Sequence, residues 1–401
     1  MASVRRAPFL SRSSSTPSSL KSTNGICLAN GELTDALLLW PLRTSGRNCG
    51  RPGSGCGACC DDLARWSSTR QGGELKVAVV GASGVVGEEM LRLLESSPLG
   101  EESPRVFASS RSAGSRLPWR DGEIVIEELT SGIDIAGIDV ALFAAGAGVS
   151  KEWAPRFVGE GIAVVDNSSA FRMDPAVALI VPEVNGDRIP PGPAIIANPN
   201  CSTTILLLAL APLRELGTFR VFADTYQAVS GAGRAGLDAL SREKSGGAFE
   251  PGNPFPFPIS GNLFPLIGDP DADDGVTTEE RKMLEESRKI LELPDLEVSV
   301  TCVRVPVERC HAIAATLLFE DEDRTRLEGA RRLLAAAPGV SVEDELTSPP
   351  TPGPLAGTHD VAVGRLRAPQ PDVLQMWVVG DQILKGAALN AVQIAERWRQ
   401  Q

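Results

Sequence analysis

The fold is decided by the stretch Lys76–Leu94, KVAVVGASGVVGEEMLRLL. Its first residues form a short apolar run typical of a buried strand, and a glycine-rich turn and a helical pattern follow directly. Glycines let the backbone approach a pyrophosphate closely, and the N-terminus of the helix offers N–H groups and partial positive charge. The stretch therefore predicts a nucleotide-binding βα unit. We expect the cofactor to contact Gly81, Ser83, Gly84, Val85 and Gly87.

The residues after the next predicted strand, Arg105–Ala108, indicate which dinucleotide binds. An Asp or Glu about 20 residues beyond such a turn normally holds the adenosine ribose hydroxyls. No acidic residue occurs between Arg105 and Arg120. The chain has Ser109, Arg111 and Ser112 instead, and these groups pair well with a 2′-phosphate. We therefore predict NADP, with an exposed polar loop as the alternative reading of these residues.

Further apolar segments predict the fold class, an α/β protein with a Rossmann-type doubly wound parallel sheet and a second α+β domain. The first sheet continues at Asp139–Phe143, Ile162–Val165 and Leu179–Val181. The second domain is predicted from Val221–Val229, Thr278–Leu291, Leu296–Arg304 and Ala312–Phe319, with a long loop at Pro251–Pro270. We expect a nucleotide-binding domain at 74–200, completed by a C-terminal helix within 381–401, and a catalytic domain at 201–380.

Composition separates the first 73 residues from the rest. They carry nine Lys or Arg against four Asp or Glu, with many serines, which predicts an organelle-targeting transit peptide. The plastid stroma is the favoured address, and the mitochondrion is the alternative. Cys56, Cys59 and Cys60 resemble half of a zinc site, but no second pair of ligands lies nearby, so we expect no metal. The net charge of -12 argues against nucleic acid or an anionic membrane as partner.

A second informative stretch places a thiol at the start of a helix. The apolar run Ala194–Ala197 stops at Asn198-Pro199, and the residues after Cys201 lead into a buried helix that ends near Pro212. Unpaired N–H groups and the helix dipole stabilise a thiolate there, so we expect the Cys201 pKa to fall below the free value of about 8.5. Cys201 is therefore a candidate nucleophile, and the alternative is a small, buried, unreactive side chain.

Few groups can move protons near neutral pH, because the chain has two histidines, His311 and His359. His311 lies at a turn between two predicted strands, and Arg304 precedes it in the same segment. The pair could share a pocket in which Arg304 holds a substrate carboxylate. Taken alone, each of these two residue types would more often have a structural role. His359 lies on a segment rich in Pro and Gly and is expected to be solvated.

Six motifs in order resemble the aspartate-semialdehyde dehydrogenase family, over residues 75 to 398. They are the glycine turn at Gly81, DNSSAFR at Asp166, NPNC at Asn198, QAVSGAG at Gln227, RVPV at Arg304 with His311, and KGAALN at Lys385. Together they are far more specific than any one motif. The segment departs from the usual pattern at Arg309-Cys310, immediately before His311, where small residues are more familiar and a second thiol could be sensitive to oxidation.

The resemblance implies a reaction in which Cys201 attacks the acyl phosphate of aspartyl phosphate, expels phosphate and forms a thioester. NADPH then reduces the thioester to aspartate semialdehyde, and His311 moves the proton. Gln227 would orient the substrate and Arg304 would hold its carboxylate. The resemblance further assigns substrate contacts to Arg172, Asn200, Glu280 and Lys282, and cofactor contacts to Ser230, Gly231 and Asn390. The same family forms homodimers and homotetramers through the second, catalytic and dimerisation domain.

Two alternatives compete with this interpretation. Another acyl-phosphate reductase, such as the N-acetyl-glutamyl phosphate enzyme, shares the glycine turn, a cysteine at a helix start and a histidine, but the NPNC and RVPV motifs favour the aspartyl substrate. A non-catalytic NADP-binding regulator should lack at least one of the reactive residues. None is missing from Cys201, Gln227, Arg304 and His311.

Overall fold

Seven parallel strands form the first sheet, in the spatial order β5-β2-β1-β6-β7-β9-β8. The computed structural model describes residues 75–252, 254–345 and 347–401, so the predicted transit peptide and its cysteines lie outside the described residues. The strands are β1 (Val77–Val80), β2 (Arg105–Ala108), β5 (Glu127–Glu128), β6 (Val140–Phe143), β7 (Ala163–Asp166), β8 (Ala178–Leu179) and β9 (Ile195–Ala197). A hairpin of β3 (Arg116–Trp119) and β4 (Gly122–Val125) lies between β2 and β5 in the chain.

Helices cover both faces of this sheet. The central strands β1, β6 and β7 are buried along their whole length, which explains why they read as continuous apolar runs. One face packs against α1 (Val85–Ser96) and the C-terminal helix α9 (Leu389–Arg399), whose Trp398 is 2% exposed. The opposite face packs against α2 (Ala147–Gly159) through Trp153 and Phe157. A short helix, α3 (Pro182–Asn185), follows β8.

A second, mixed sheet of six strands has the order β11-β10-β12-β15-β14-β13. Its members are β10 (Phe219–Gln227), β11 (Val298–Arg304), β12 (His311–Phe319), β13 (Val340–Val342), β14 (Val361–Gln370) and β15 (Val373–Gly380). Side chains of β10 alternate strictly between buried and exposed, so one face of this sheet builds a core and the other faces outward. The core face packs against α4 (Cys201–Leu210), α6 (Thr278–Leu291) and α7 (Arg326–Ala336).

The remaining helices are α5 (Gly233–Lys244) and α8 (Pro352–Leu355), and a π-helical turn at Leu384–Ala388 leads into α9. The predicted fold class, a Rossmann-type sheet with a second α+β domain, is confirmed. Within the predicted loop Pro251–Pro270, Phe264 forms an isolated bridge with Arg304, which attaches the loop to the end of β11. None of the helices among the described residues is long and apolar enough to cross a bilayer.

The sequence interpretation missed half of the second sheet. Strand β15 pairs with β12 and with β14, and β14 pairs with β13, yet none of β13, β14 and β15 was predicted. β10 begins and ends two residues before the predicted Val221–Val229, because Ala228 and Val229 already turn toward the glycine segment that follows. Helices α2 and α7 were also missed. α2 contains Pro155 in its interior, a residue that normally argues against a helix there.

Candidate active site

The glycine-rich turn between β1 and α1 is shaped for the close approach of a ligand. Gly81 has φ +87°, and a Cβ there would lie 2.8 Å from backbone atoms of Ala144. A Cβ on Gly87 would lie 2.3 Å from the carbonyl oxygen of Gly81, so both positions require glycine. Gly84 caps the helix without a side-chain hydrogen bond, and α1 begins at Val85. These two glycines are therefore required by the packing of the turn against its own backbone and Ala144, and the N–H groups at the start of α1 suit the pyrophosphate of a dinucleotide.

The residues predicted to bind a 2′-phosphate lie beside this turn. The hydroxyl of Ser83 donates to the hydroxyl of Ser112 at 3.1 Å, which joins the glycine turn to the loop after β2. Ser109 and Arg111 are exposed on the same loop. The predicted cofactor residues of these two segments are thus brought together at one edge of the first sheet.

Cys201 is the first residue of α4, as the sequence predicted. Asn200 is the N-cap residue, and its Oδ1 accepts from the backbone N–H groups of Ser202 at 2.9 Å and Thr203 at 3.3 Å. The sulfur of Cys201 lies 3.4 Å from Nε2 of His311. Nucleophile and acid/base residue are therefore within hydrogen-bonding distance, although 110 residues separate them in the chain.

The expected lowering of the Cys201 pKa is wrong. Burial, followed by the nearby carboxylate of Glu279, raises the pKa of the thiol to about 11, although Arg172 and Arg304 act in the opposite direction. Burial and the charge of Arg304 hold the pKa of His311 well below its usual value of 6.5. The helix dipole alone does not outweigh the loss of solvent around the sulfur. The unliganded pair is therefore a neutral thiol beside a neutral imidazole at neutral pH.

A backbone contact fixes which nitrogen of His311 carries the proton. The N–H of Ala228 donates to Nδ1 at 3.0 Å, so Nδ1 is the unprotonated nitrogen of the neutral ring. Nε2 then carries the proton and points toward the sulfur of Cys201. If Nδ1 were also protonated, its N–H would face the backbone N–H of Ala228, and two donors cannot form a hydrogen bond. This contact therefore disfavours the charged ring, in agreement with the lowered pKa of His311. His311 is thus held as a hydrogen-bond donor to the reaction centre.

Glu279, and not the predicted Glu280, reaches the pocket. The Oε1 atom of Glu279 accepts from Nδ2 of Asn200 at 2.8 Å and from Nε2 of Gln227 at 3.3 Å. Burial opposes ionisation of Glu279, but the charge of Lys282 and these hydrogen bonds outweigh it and lower the pKa. The carboxylate of Glu280 turns away and accepts from the backbone N–H groups of Thr277 and Cys302, which completes the capping box of α6. Of the two neighbouring carboxylates, Glu279 therefore lines the pocket and the predicted Glu280 does not.

Arg304 is buried beside His311. Its Nη1 donates to the carbonyl oxygen of Ala228 at 2.5 Å, and its guanidinium lies 5.6 Å from the ring centroid of Phe255. A Cβ on Gly231 would lie 2.9 Å from Nη1 of Arg304 and 3.3 Å from Cε1 of His311. Gly231 therefore leaves the room in which the cation and the imidazole lie together, next to the sulfur.

Two further cations line the same pocket. Arg172 donates to the carbonyl oxygens of Asn198 at 2.9 Å and Asn167 at 2.7 Å, and to the carboxylate of Glu286 at 3.0 Å. Lys282 lies one turn after Glu279 on α6 and donates to it at 3.1 Å. Both cations are paired with carboxylates, so an anion that enters the pocket meets a neutralised cluster whose partners can rearrange.

The π-helical turn closes the side of the pocket behind the thiol. Asn390 was predicted to lie beside the nicotinamide, but its amide is fully buried and donates to Asn198 Oδ1 at 2.6 Å and to the carbonyl oxygen of Ile180 at 3.0 Å. Asn390 also accepts from the ammonium group of Lys385 at 2.8 Å. The structure therefore places Asn390 behind Asn198, as a support of the pocket wall and not a part of its lining.

A pocket of about 370 Å³ lies between the first sheet and the second, and Cys201 lines it while His311 is fully buried and is not part of its lining. Its lining includes eight of the predicted residues, Cys201, Gln227, Arg172, Asn200, Lys282, Arg304, Ser230 and Gly231. Ser230 is held there by the carbonyl oxygen of Glu308 and the amide of Gln382. Gln382, Glu279 and Asn198 also line it and were missed. Glu279 and Glu286, both on one face of the helix that also carries Lys282, could have been found from the seven-residue spacing.

Comparison with known proteins agrees with this arrangement. Residues 76–190 match the model of the semialdehyde dehydrogenase NAD-binding domain, and residues 210–385 match that of the semialdehyde dehydrogenase dimerisation domain. The aspartate-semialdehyde dehydrogenase of Aquifex aeolicus is 43% identical over 332 residues, which cover 80% of this chain and 97% of that protein.

Solved structures give the same result. Aspartate semialdehyde dehydrogenase II of Vibrio cholerae, in complex with ASA, superposes with a TM-score of 0.75 at 36% identity and covers 81% of this chain and 98% of its own. The Candida albicans enzyme with NADP superposes with a TM-score of 0.65 at 27% identity, with 80% and 98% covered. The chain therefore belongs to the aspartate-semialdehyde dehydrogenase family.

Proposed function

We propose that this protein catalyses the NADPH-dependent reductive dephosphorylation of L-4-aspartyl phosphate to L-aspartate 4-semialdehyde through a thioester on Cys201. The observation that carries the proposal is the 3.4 Å contact between the Cys201 sulfur and His311 Nε2, in a pocket that also contains Arg172, Lys282 and Arg304. An acyl-phosphate substrate with a free carboxylate needs a nucleophile, a proton-bearing group and cations at both ends. The pocket supplies all three.

The charges of the pocket match the substrate from end to end. Arg304 binds the α-carboxylate, and the carboxylate of Glu279 accepts hydrogen bonds from the substrate amino group. Gln227 and Asn200, which donate to Glu279, lie beside this position. When the amino group occupies Glu279, Lys282 loses its partner and turns to the phosphate together with Arg172. Binding therefore exchanges an internal ion pair for two pairs with the substrate, which offsets part of the cost of removing these charges from water.

In the first step the sulfur of Cys201 attacks the carbonyl carbon, the C–S bond forms, and inorganic phosphate leaves with the electron pair of the broken C–O bond. The thiol proton passes to the departing phosphate, because His311 already carries a proton on Nε2 and its Nδ1 accepts from the backbone N–H of Ala228. The reactive form of the sulfur is the thiolate. Arg172 and Arg304 favour the thiolate, and the Nε2–H of His311 points at it. We propose that this N–H first stabilises the attacking sulfur and then serves the oxygen anion of the tetrahedral species on Cys201. Collapse of that species breaks the C–S bond and releases the semialdehyde.

The glycine turn Gly81–Gly87, with Ser109, Arg111 and Ser112, is the proposed binding site of NADP, and Ser230 and Gly231 line its inner end. When bound, NADPH supplies the hydride that reduces the thioester. Arg111 and the two serines favour the 2′-phosphate, and the bound NADP of the Candida albicans relative supports the same choice. Gly231 leaves the room that Arg304 and His311 occupy beside the reacting groups.

We further propose that two copies pair through the outer face of the second sheet, with tetramers as pairs of such dimers. Phe222 is 46% exposed and Tyr226 is 37% exposed on this face, and Tyr226 packs against Trp377 with ring centroids 5.4 Å apart. Exposed aromatic residues on an extended sheet are typical of an interface. The match of residues 210–385 to a dimerisation domain supports this surface.

The proposed biological setting is the biosynthesis of lysine, threonine, methionine and isoleucine from aspartate in the plastid stroma. The composition of residues 1–73 supports the compartment, since it is basic and rich in hydroxyl groups. Import of residues 1–80 fused to a fluorescent protein, into isolated chloroplasts and isolated mitochondria, tests the address. Accumulation in mitochondria alone would require a different setting.

The enzymatic proposal is tested by phosphate-dependent reduction of NADP with aspartate semialdehyde, on protein that lacks residues 1–73. N-acetyl-glutamate semialdehyde serves as the competing substrate, and Cys201→Ala as the inactive control. Turnover of aspartate semialdehyde that requires phosphate and Cys201 supports the proposal. Preference for the N-acetylated substrate would favour the other acyl-phosphate reductase, and no turnover of either would favour a non-catalytic protein.

A further inference from the structure

Glu286 is a buried carboxylate that the reaction scheme above does not use. It lies on α6 seven residues after Glu279, and its side chain is 1% exposed. Oε1 accepts from Nη1 of Arg172 at 3.0 Å, and Oε2 accepts from the backbone N–H of Asn200 at 2.6 Å. A buried carboxylate is tolerated only where cations and donors satisfy it. Here both oxygens are satisfied by residues of the reaction site.

Asn200 connects Glu286 to the nucleophile. It directly precedes Cys201, and its side chain caps α4 while its Nδ2 donates to Glu279 at 2.8 Å. Two carboxylates on the same face of α6 therefore hold this residue, Glu279 by its side chain and Glu286 by its backbone. Any movement of Asn200 would shift the sulfur of Cys201 relative to His311.

The same carboxylate orients Arg172. A guanidinium has five N–H donors. Three of them point to Glu286, Asn198 and Asn167, and this fork holds the group in one orientation at the edge of the pocket. The remaining donors are left for an anion. Without Glu286, the fork would lose its only carboxylate acceptor among these three contacts.

We propose that Glu286 is a positioning residue that holds the turn of the nucleophile through Asn200 and the phosphate-binding guanidinium through Arg172. The second half of this inference rests on the proposed function, since it takes Arg172 to bind phosphate. The first half rests on the contacts with Asn200 alone. Glu286 acts through these two residues and itself touches no substrate.

The variant Glu286→Gln separates the two contacts. A glutamine amide has one acceptor oxygen and one donor group. Its oxygen can keep the hydrogen bond from Asn200, but its NH₂ then faces the Nη1 donor of Arg172, and two donors cannot bond. We expect the KM for phosphate to rise about tenfold or more, as for the loss of a hydrogen bond to a charged group. The KM for aspartate semialdehyde and the rate of Cys201 alkylation by iodoacetamide should stay within about twofold, because the contact with Asn200 remains.

Two further variants complete the design. Glu286→Ala removes both contacts, so the alkylation rate of Cys201 should change as well, in protein whose circular dichroism shows that it is folded. Glu285→Gln is the matched control, since it makes the same chemical change at the neighbouring position of the same helix, and its kinetics should equal those of the wild type. In an Arg172→Met background, Glu286→Gln should leave the KM for phosphate unchanged, because its effect passes through that arginine.

An unchanged KM for phosphate in Glu286→Gln, or an equal increase in the Arg172→Met background, would overturn the contact with Arg172 as a functional one. Unchanged alkylation in folded Glu286→Ala would overturn the role at Asn200. These results are distinguishable from failure of the proposed function. That failure would appear as absence of semialdehyde turnover in the wild type, whereas the alkylation measurements need no substrate.

Discussion

Gly386 packs directly against Cys201: a Cβ on the glycine would lie 2.8 Å from the Cβ of the cysteine and 3.2 Å from its Cα. The π-helical turn and the start of α4 approach each other there more closely than two side chains allow. The absence of a side chain on Gly386 thus leaves the space that Cys201 occupies.

Gly386→Ala should therefore displace Cys201 and lower kcat. Overpacking at a buried site costs about 1–3 kcal/mol, and a shift of about 1 Å in a reacting group can cost about 100-fold in rate. We expect a kcat at least about tenfold lower, with a modest fall in Tm. Gly159→Ala, where a Cβ has open space, is the control and should leave kcat unchanged. Wild-type kinetics in Gly386→Ala would show that the nucleophile has room to move.

Alkylation of Cys201 by iodoacetamide should rise with pH far into the alkaline range. The thiolate is the reacting form, and its fraction grows as pH approaches the raised pKa of about 11. The rate should increase about tenfold per pH unit from about pH 7 to 10. Peptide mass spectrometry assigns the label to Cys201, since Cys302 and Cys310 are buried. A plateau near pH 8 would show that the helix start lowers the pKa after all.

Glu279→Gln and Glu280→Gln should have different consequences. Removal of the Glu279 charge should raise the KM for aspartate semialdehyde by about 10- to 100-fold, because a hydrogen bond to a charged group contributes about 1.5–3 kcal/mol. Glu280→Gln alters the capping box, and loss of such a cap costs at most about 1–2 kcal/mol of stability. It should lower Tm and leave KM near the wild-type value. The reverse pattern would restore Glu280 as the substrate residue.

The difference between these two glutamates shows where the sequence interpretation was limited. The spacing of Lys282 from its neighbours did not decide which carboxylate faces the pocket, because both lie in the first turn of α6. Two hydrogen bonds with Thr277 turn the Glu280 carboxylate away from the pocket. The Thr277 hydroxyl accepts from the backbone N–H of Glu280, and the backbone N–H of Thr277 donates to the Glu280 carboxylate. Local capping chemistry therefore left Glu279 for the pocket.

The parts of the fold that follow from local pattern were predictable. β1, the glycine turn and the start of α4 at Cys201 are short-range features, set by apolar runs and by residues that stop or cap a helix. β15 pairs with β12 as well as with its neighbour β14, so its place in the sheet depends on residues that are distant in the chain. The pKa of Cys201 was misjudged for the same reason. The dipole at the start of α4 is local, while the burial and the carboxylate of Glu279 come from the tertiary fold.

The variants Lys282→Met and Arg304→Met should affect different KM values, one for phosphate and the other for the semialdehyde. Lys282 is expected to bind phosphate, so its loss should raise the KM for phosphate more than that for the semialdehyde. Loss of Arg304 should do the opposite, because the carboxylate is present in the semialdehyde. Initial rates at varied concentrations of both substrates give the two KM values. Equal effects in both variants would indicate one coupled cluster rather than two separate anion sites.

The cofactor preference should depend on Arg111, since the glycine turn serves NAD and NADP alike. Arg111 is exposed on the loop that Ser112 ties to Ser83 of the turn, where the adenosine end of the cofactor is expected. A charge-assisted bond to the 2′-phosphate contributes about 1.5–3 kcal/mol. Since a factor of ten takes about 1.4 kcal/mol, Arg111→Ala should weaken NADPH by about 10- to 100-fold and barely affect NADH.

Fluorescence titration of both cofactors, together with kcat/KM, measures this difference. Arg116→Ala is the control, because Arg116 is an exposed arginine of the adjacent hairpin that pairs with Glu123 at 3.3 Å. The loss should also shrink at high salt, since an exposed charge pair is screened within about 10 Å at 0.1 M ionic strength. If Arg111→Ala weakens NADPH and NADH equally, the arginine shapes the loop without reading the 2′-phosphate. If the wild type uses both cofactors with similar kcat/KM, the prediction of a preference for NADP is wrong.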